Sequence, residues 1–297
     1  MTAAIETSGL GRRFGRTWAL RDCSLRIPEG RVIAVVGRNG AGKSTLLNIA
    51  AGLLAPTTGE IRVMGARAEA GGPVRGRVAF LAQDVPLYRD FTVAEMFELG
   101  RRLNDTWDGT GAQARMDRLA IPMERRVGKL SGGQRAQVGL AMALARHPDL
   151  LILDELVAAL DPLARRDFLR SLMEEVAERP MTVVLSSHLV TELERTCDYL
   201  LLLDEGRVRL LGEIEELLAT HRWLSGNAMQ PGPLPRCVIE DQTAGRQATL
   251  LVRCEAEATY PGWDERAPDL EELVLAYMGR AGARALPGPE RATEAVA

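Results

Sequence analysis

Short apolar runs alternate with longer stretches of helical spacing from Ile5 to about Leu218, the rhythm of an α/β chain whose buried strands are joined by helices. Arg31–Val36 (RVIAVV) predicts a buried strand, Lys43–Gly52 the helix after it, and Gly76–Leu81 a further strand. From Phe91 to about Leu119 the spacing is mostly helical, broken by the loop-like stretch Asn104–Gly111. Gly132–Arg146 predicts a helix, Leu150–Leu153 a strand, Pro162–Arg179 a helix, Thr182–Ser186 a strand and Val190–Thr196 a short helix. A strand–turn–strand around Asp204–Gly206 closes the series, followed by a short helix at Glu213–His221. The pattern shifts near Leu224, where Ser225–Pro235 (SGNAMQPGPLP) reads as a Gly- and Pro-rich linker. Beyond it Arg236–Glu240 and Ala248–Cys254 alternate as strands do, and Asp269–Met278 has helical spacing. Residues 281–297, rich in Ala, Arg, Gly and Pro, read as a disordered tail.

Composition narrows the classes. With 297 residues, 46% hydrophobic and 26% charged, the chain can hold one large domain and a smaller appendage. A net charge of −3 leaves no global basic field, so nucleic acid is not the expected partner. The four cysteines form no CxxC pair and have no His cluster beside them, which argues against zinc and for ordinary reduced thiols. The start MTAAIETSGL lacks the features of a signal peptide, and no run reaches the ~18 apolar residues of a membrane span. A role at a membrane would therefore require a partner chain.

Three segments carry chemistry. Gly37–Ser44 (GRNGAGKS) fits the phosphate-loop pattern G-x-x-x-x-G-K-[ST] between a predicted strand and a predicted helix, the context that the motif needs. Its glycines allow a tight wrap that turns backbone N–H groups toward phosphate, and the helix start adds positive potential. Gly37, Arg38, Asn39, Gly40, Ala41, Gly42, Lys43, Ser44 and Thr45 are the candidate nucleotide contacts, with Lys43 toward the β- and γ-phosphates and Ser44 toward Mg²⁺. Leu150–Glu155 (LLILDE) is an apolar strand ending in two carboxylates. Asp154 is the candidate metal ligand, and Glu155 the group that polarises the attacking water. Leu130–Gln134 (LSGGQ) opens a predicted helix with a hydroxyl and two glycines, a second cradle for an anion.

Together these segments closely resemble the ATP-binding cassette of ABC transporters, with LSGGQ as the signature motif. The resemblance covers about the first 220 residues and implies a P-loop α/β cassette with a mixed sheet and a helical subdomain at about 88–148. It implies ATP and Mg²⁺ as cofactors and a head-to-tail homodimer or paired cassette, in which Ser131, Gly132, Gly133 and Gln134 of one chain close on the nucleotide of the other. Further positions match the family pattern. Phe14 corresponds to the aromatic that stacks on adenine, Gln83 to the glutamine that senses γ-phosphate and Mg²⁺, His188 to the switch histidine and Asp161 to the acidic residue of the loop that crosses the dimer. His147 and His221 have no such context and read as surface residues.

One departure stands out. The family usually has Pro after the catalytic Glu, whereas Leu156 stands here, which is expected to loosen the path from Glu155 to Asp161. The resemblance further implies a separate transmembrane permease subunit and a place on the cytoplasmic face of the cell membrane. A lone cassette (residues 1–224) with a small C-terminal extension (225–280) looks like the drug- and antibiotic-export branch. Import remains an alternative, as does a non-transport ABC ATPase acting on ribosomes or DNA. The single phosphate loop and the short distance from Lys43 to Ser131 speak against the last two.

Overall fold

The computed structural model describes residues 2–187, 190–227, 237–254 and 258–279. The chain begins with β1 (Ala3–Phe14) and β2 (Thr17–Pro28), an antiparallel hairpin whose register slips at four points. Next come β3 (Val32–Val36), α1 (Lys43–Ala50), β4 (Thr58–Val63), β5 (Ala66–Arg67) and β6 (Val78–Leu81). A helical stretch follows, with α2 (Val93–Leu103), α3 (Gly109–Arg118) and α4 (Gly132–Leu144). The second half of the cassette holds β7 (Leu150–Asp154), α5 (Pro162–Glu178), β8 (Thr182–Ser186), α6 (Val190–Leu193), β9 (Tyr199–Asp204), β10 (Arg207–Glu213) and α7 (Ile214–Ala219). The chain then continues through β11 (His221–Asn227), β12 (Val238–Ala244), β13 (Gln247–Arg253), β14 (Asp264–Arg266) and α8 (Leu270–Gly279).

The central sheet has the order β10-β9-β3-β8-β7-β6, parallel except for the edge strand β10. Every residue of β3, β7, β8 and β9 is buried, as both-face coverage of a parallel sheet demands. That is why these strands read as unbroken apolar runs. An antiparallel sheet, β2-β1-β4-β5, contributes Ile5, Leu10, Leu20 and Ile61 to a core shared with α1 and with Ile33, Val35 and Leu201 of the central sheet. α2 starts on a Thr92–Glu95 capping box, and with α3 and α4 it builds a separate core around Phe97, Met116 and Val138.

The C-terminal segment differs from expectation. β11 runs from His221 to Asn227 and pairs with β13 and β14, so the boundary expected at Leu224 falls inside a strand. Ser225–Asn227, read as the start of a linker, belong to that strand, while residues 228–236 and 281–297 lie outside the described residues. The loop-like sequence Ser225-Gly226-Asn227 hides the strand because its packing partner is distant. A Cβ at Gly226 would come within 3.0 Å of the Trp263 ring. His221, expected at the surface, is fully buried. Its Nδ1–H donates to Leu217 O at 2.6 Å and its Nε2 accepts from the Tyr277 hydroxyl at 2.9 Å. All four cysteines are free, and burial pushes the thiols of Cys23 and Cys197 up, away from the reactive thiolate. Among the described residues no helix is long and apolar enough to cross a membrane.

Candidate nucleotide site

In an open parallel sheet, ligands settle beyond the carboxyl ends of the strands. Four neighbouring strands place candidate residues there. The phosphate loop leaves β3, Asp154 ends β7 with Glu155 directly after it, Ser186 ends β8, and Gln83 follows β6 by two residues. Register fixes the cluster, since Asp154 lies opposite Ser186 and Leu81 opposite Leu153.

The loop between β3 and α1 is built around glycine. At Gly42, the residue before α1, φ is 103°, and a Cβ would lie 2.5 Å from Ala19 O. At Gly37 a Cβ would lie 2.2 Å from Leu203 O. Neither position has room for a side chain, so the backbone itself lines the cradle. Arg38, Asn39 and Gly40 are exposed at its rim, Ala41 is buried beneath it, and Thr45 is half-buried on α1.

Lys43 is only 3% exposed, yet its ammonium is well partnered. Nζ donates to Gly37 O at 2.9 Å and Arg38 O at 3.3 Å, and it lies 3.1 Å from Glu155 Oε1. Ser44 Oγ donates to Asp154 Oδ1 at 3.1 Å. Two hard oxygen donors at that spacing would suit Mg²⁺, an ion that prefers oxygen ligands. No cluster of three or more His, Cys, Asp or Glu able to hold a metal occurs among the described residues.

Ser186 is a part of the site that sequence reasoning missed. Its hydroxyl donates to Asp154 Oδ1 at 2.7 Å and accepts from the Glu155 N–H at 2.8 Å. One side chain thus fixes the orientation of both carboxylate residues. The available signal was a small polar residue closing an otherwise apolar buried strand, TVVLS. Leu156, the departure from the family pattern, has φ −59°, a value that proline itself would impose, and its side chain is 1% exposed in the central core. Leu156 thus holds the φ that proline would impose while filling the core with its side chain. His188 lies outside the described residues.

Phe14, at the end of β1, is 49% exposed, and Arg12 stacks its guanidinium over the ring at 4.7 Å. The signature residues sit elsewhere. Ser131 caps α4 by accepting from the Gln134 N–H at 3.2 Å, and Gln134 Oε1 accepts from the Ser131 N–H at 3.0 Å. Among the described residues no hydrogen bond joins Ser131–Gln134 to the phosphate loop of the same chain. Asp161 caps α5 and accepts from the Ala164 N–H at 3.0 Å. The structure therefore gathers Lys43, Ser44, Asp154 and Glu155 into one cluster, and places Ser131–Gln134 at the start of α4 and Asp161 at the start of α5.

A model of the ABC transporter family matches residues 20–158. The chain is 36% identical over 201 residues to the thiamine import ATP-binding protein ThiQ of Escherichia coli (strain K12), covering 66% of this chain and 87% of that protein. It is 29% identical over 213 residues to the ABC transporter ATP-binding protein YtrB of Bacillus subtilis (strain 168), covering 72% and 73%. Among solved structures it is similar to cbiO1 from Clostridium perfringens, described as part of the ABC transporter complex cbiONQ, with a TM-score of 0.65 and 27% identity over 74% of this chain and 92% of that one.

Proposed function

The chain belongs to the ABC transporter family and is an ATPase, and from that premise we propose that it powers transport through a separate membrane permease by ATP-driven pairing of two cassettes. The observation that carries this reading is the cluster at the carboxyl ends of β3 and β7, where Lys43, Ser44, Asp154 and Glu155 meet within 3.1 Å contacts. In the proposed cycle the phosphate loop cradles the triphosphate, and Lys43 neutralises charge that develops on the transferred phosphoryl group. Ser44 and Asp154 would hold Mg²⁺, which would supply neutralisation of the phosphate charge. Glu155 orients and polarises the attacking water from the strand end, with its backbone fixed by Ser186. Exposed Gln83 lies at the end of the neighbouring strand β6, where it can register the terminal phosphate. Phe14 supplies the platform for adenine.

Ser131–Gln134 and Asp161 complete the site of a second copy. Phosphate between the two chains holds them together, and hydrolysis releases them. The helical subdomain at about 88–148 is the proposed docking region for the permease, on the cytoplasmic face of the membrane. The cassette proper ends near Ala219, and the extension begins with β11. Export, expected from the stand-alone cassette, gains no support from the relatives. ThiQ is named for import, so import is at least as well supported.

Affinity capture of the tagged Glu155→Gln chain from native membranes in mild detergent with ATP tests the assignment. Stoichiometric recovery of a polytopic membrane protein supports it, and its identity points to the cargo. Recovery of ribosomes or DNA without a membrane partner overturns the transport reading.

A further inference from the structure

α4 belongs to two hydrophobic cores at once. Val138, Ala141 and Ala145 face Phe97, Ala112 and Met116 in the helical subdomain. Ala136, Leu140 and Ala143 face Phe168 and Leu172 of α5 in the central core. The signature residues at the start of α4 therefore take their position from both bodies. The same α4 touches α5 near its start, because a Cβ on Gly133 would lie 2.8 Å from the Ala164 Cβ. Ala164 in turn donates to Asp161.

The direct ties between α3 and α5 are polar. Arg115 of α3 is 2% exposed, and its two terminal nitrogens point at α5. Nη1 donates to Glu175 Oε1 at 2.5 Å and Nη2 to Ser171 Oγ at 2.6 Å, while Arg118 reaches the same Glu175 oxygen at 3.4 Å. Beside this pair the joint is open, with a cavity of about 270 Å³ whose walls include Arg115, Ala141, Ala145, Glu175 and Met181. Burial works against the Arg115 charge, and the Glu175 carboxylate opposes that effect. A buried ion pair is a weak stabiliser compared with apolar residues of equal volume. What a guanidinium fork adds is direction, because two donors in a rigid plane fix both the distance and the rotation of one helix on another.

We propose that Arg115 and Glu175 form a strut that sets the helical subdomain on α5, so that Ser131–Gln134 and Asp161 meet a partner chain as one surface. Arg115 is then a positioning residue for ATP-driven dimerisation and touches no nucleotide. The inference rests on the reading that these residues act across a dimer.

The full chain carrying Glu155→Gln, which is expected to hold nucleotide with its turnover greatly reduced, is the parent for the test. Three quantities are read: affinity of the dilute chain for a fluorescent ATP analogue, the thermal midpoint, and dimerisation against MgATP by sedimentation velocity. Arg115→Lys keeps the charge and loses the fork. It is expected to leave nucleotide affinity unchanged and to raise the ATP concentration for half-dimerisation about tenfold. Arg115→Met combined with Glu175→Met keeps bulk without charge, and is expected to restore the thermal midpoint but not dimerisation. An Arg115→Lys chain that dimerises on the parent's curve overturns the strut, as does a double-Met chain that recovers both properties. If Arg115→Lys does not fold, the double-Met chain decides by the same criterion. A parent that fails to dimerise with MgATP overturns the across-the-dimer reading itself, whereas a dimerising parent beside an unshifted variant overturns the strut alone.

Discussion

Glu155 sits at φ 52°, in the left-handed region that costs a residue with a Cβ roughly 1–2 kcal/mol. Its N–H is held by Ser186 Oγ, which is itself bound to Asp154. The strain therefore has a retaining partner, and the partner is one hydroxyl. Removing it in Ser186→Ala leaves the phosphate loop and Lys43 in place but breaks the one link that both carboxylate residues share, leaving Asp154 with Ser44 and Glu155 with Lys43. Turnover should fall by about 10–100-fold, the value of one or two hydrogen bonds to charged groups, with nucleotide affinity changed by less than about threefold. Steady-state ATPase assays beside equilibrium nucleotide binding check this, and equal losses in both would show that Ser186 only supports the fold. Glu155→Gln should lose turnover by about 10²–10⁴-fold while binding is retained, as expected for a group that acts on the water. Leu156 behaves differently from its catalytic neighbour. Because it is 1% exposed among Leu153, Val157 and Leu185, Leu156→Ala should cost about 2–5 kcal/mol in urea unfolding. An undiminished urea midpoint would place this side chain outside the core.

At the scale of elements, legibility in the sequence followed the range of the interactions. The phosphate loop, the strand–Asp–Glu end and the capped start of α4 are each dictated by local backbone chemistry, so their spacing could be read directly. β8 was placed at its observed bounds because a strand buried on both faces is a continuous apolar run. The antiparallel sheet β2-β1-β4-β5 was not read as a sheet, since shifts in register at four points of the β1–β2 pairing blur its alternation. Ser186 was missed because its role depends on β7 lying beside β8. His221 was misplaced because Tyr277, fifty-six residues later, supplies its burial and its hydrogen bond. That burial has a measurable consequence. Burial holds the His221 pKa below its usual 6.5, and the Arg253 and Arg222 charges lower it further, while the bond to Leu217 opposes them. The unfolded chain therefore takes up a proton at this position at a higher pH than the folded chain does. Its contribution to stability is complete above about pH 6.5 and is lost as pH falls toward the lower folded value. The thermal midpoint of the native chain should drop more between pH 7.5 and 5.5 than that of His221→Gln, measured by circular dichroism. Parallel curves would mean that His221 titrates equally in both states.

At the scale of the whole molecule, the C-terminal segment is not a tethered accessory. Leu193, Cys197, Leu210 and Leu217 of the cassette share one apolar cluster with Trp223, Leu251, Leu273, Val274 and Tyr277 of the extension. The contact includes α8 against α6, which begins two residues after position 188, the place expected for the switch histidine. Truncation after Leu224 would cut β11 in the middle and strip α8 from α6, α7 and β10. It would also leave His221 without Tyr277. Each large apolar side chain returned to water costs about 1.5–3 kcal/mol, so the loss of this cover is comparable to the net stability of an ordinary domain. The intact chain should therefore unfold through a transition in which cassette and extension melt together, and the truncated chain should melt lower or aggregate. Differential scanning calorimetry, with near-ultraviolet signals from Trp18 in the cassette and Trp263 in the extension isolated by Trp→Phe variants, separates the cases. Coincident transitions are expected from a shared core. An extension that melts first, with the cassette midpoint equal to that of the truncated chain, would mean that the cluster joining them carries no energy, and any influence of the C-terminal segment on ATP hydrolysis would then have to act through something other than α6.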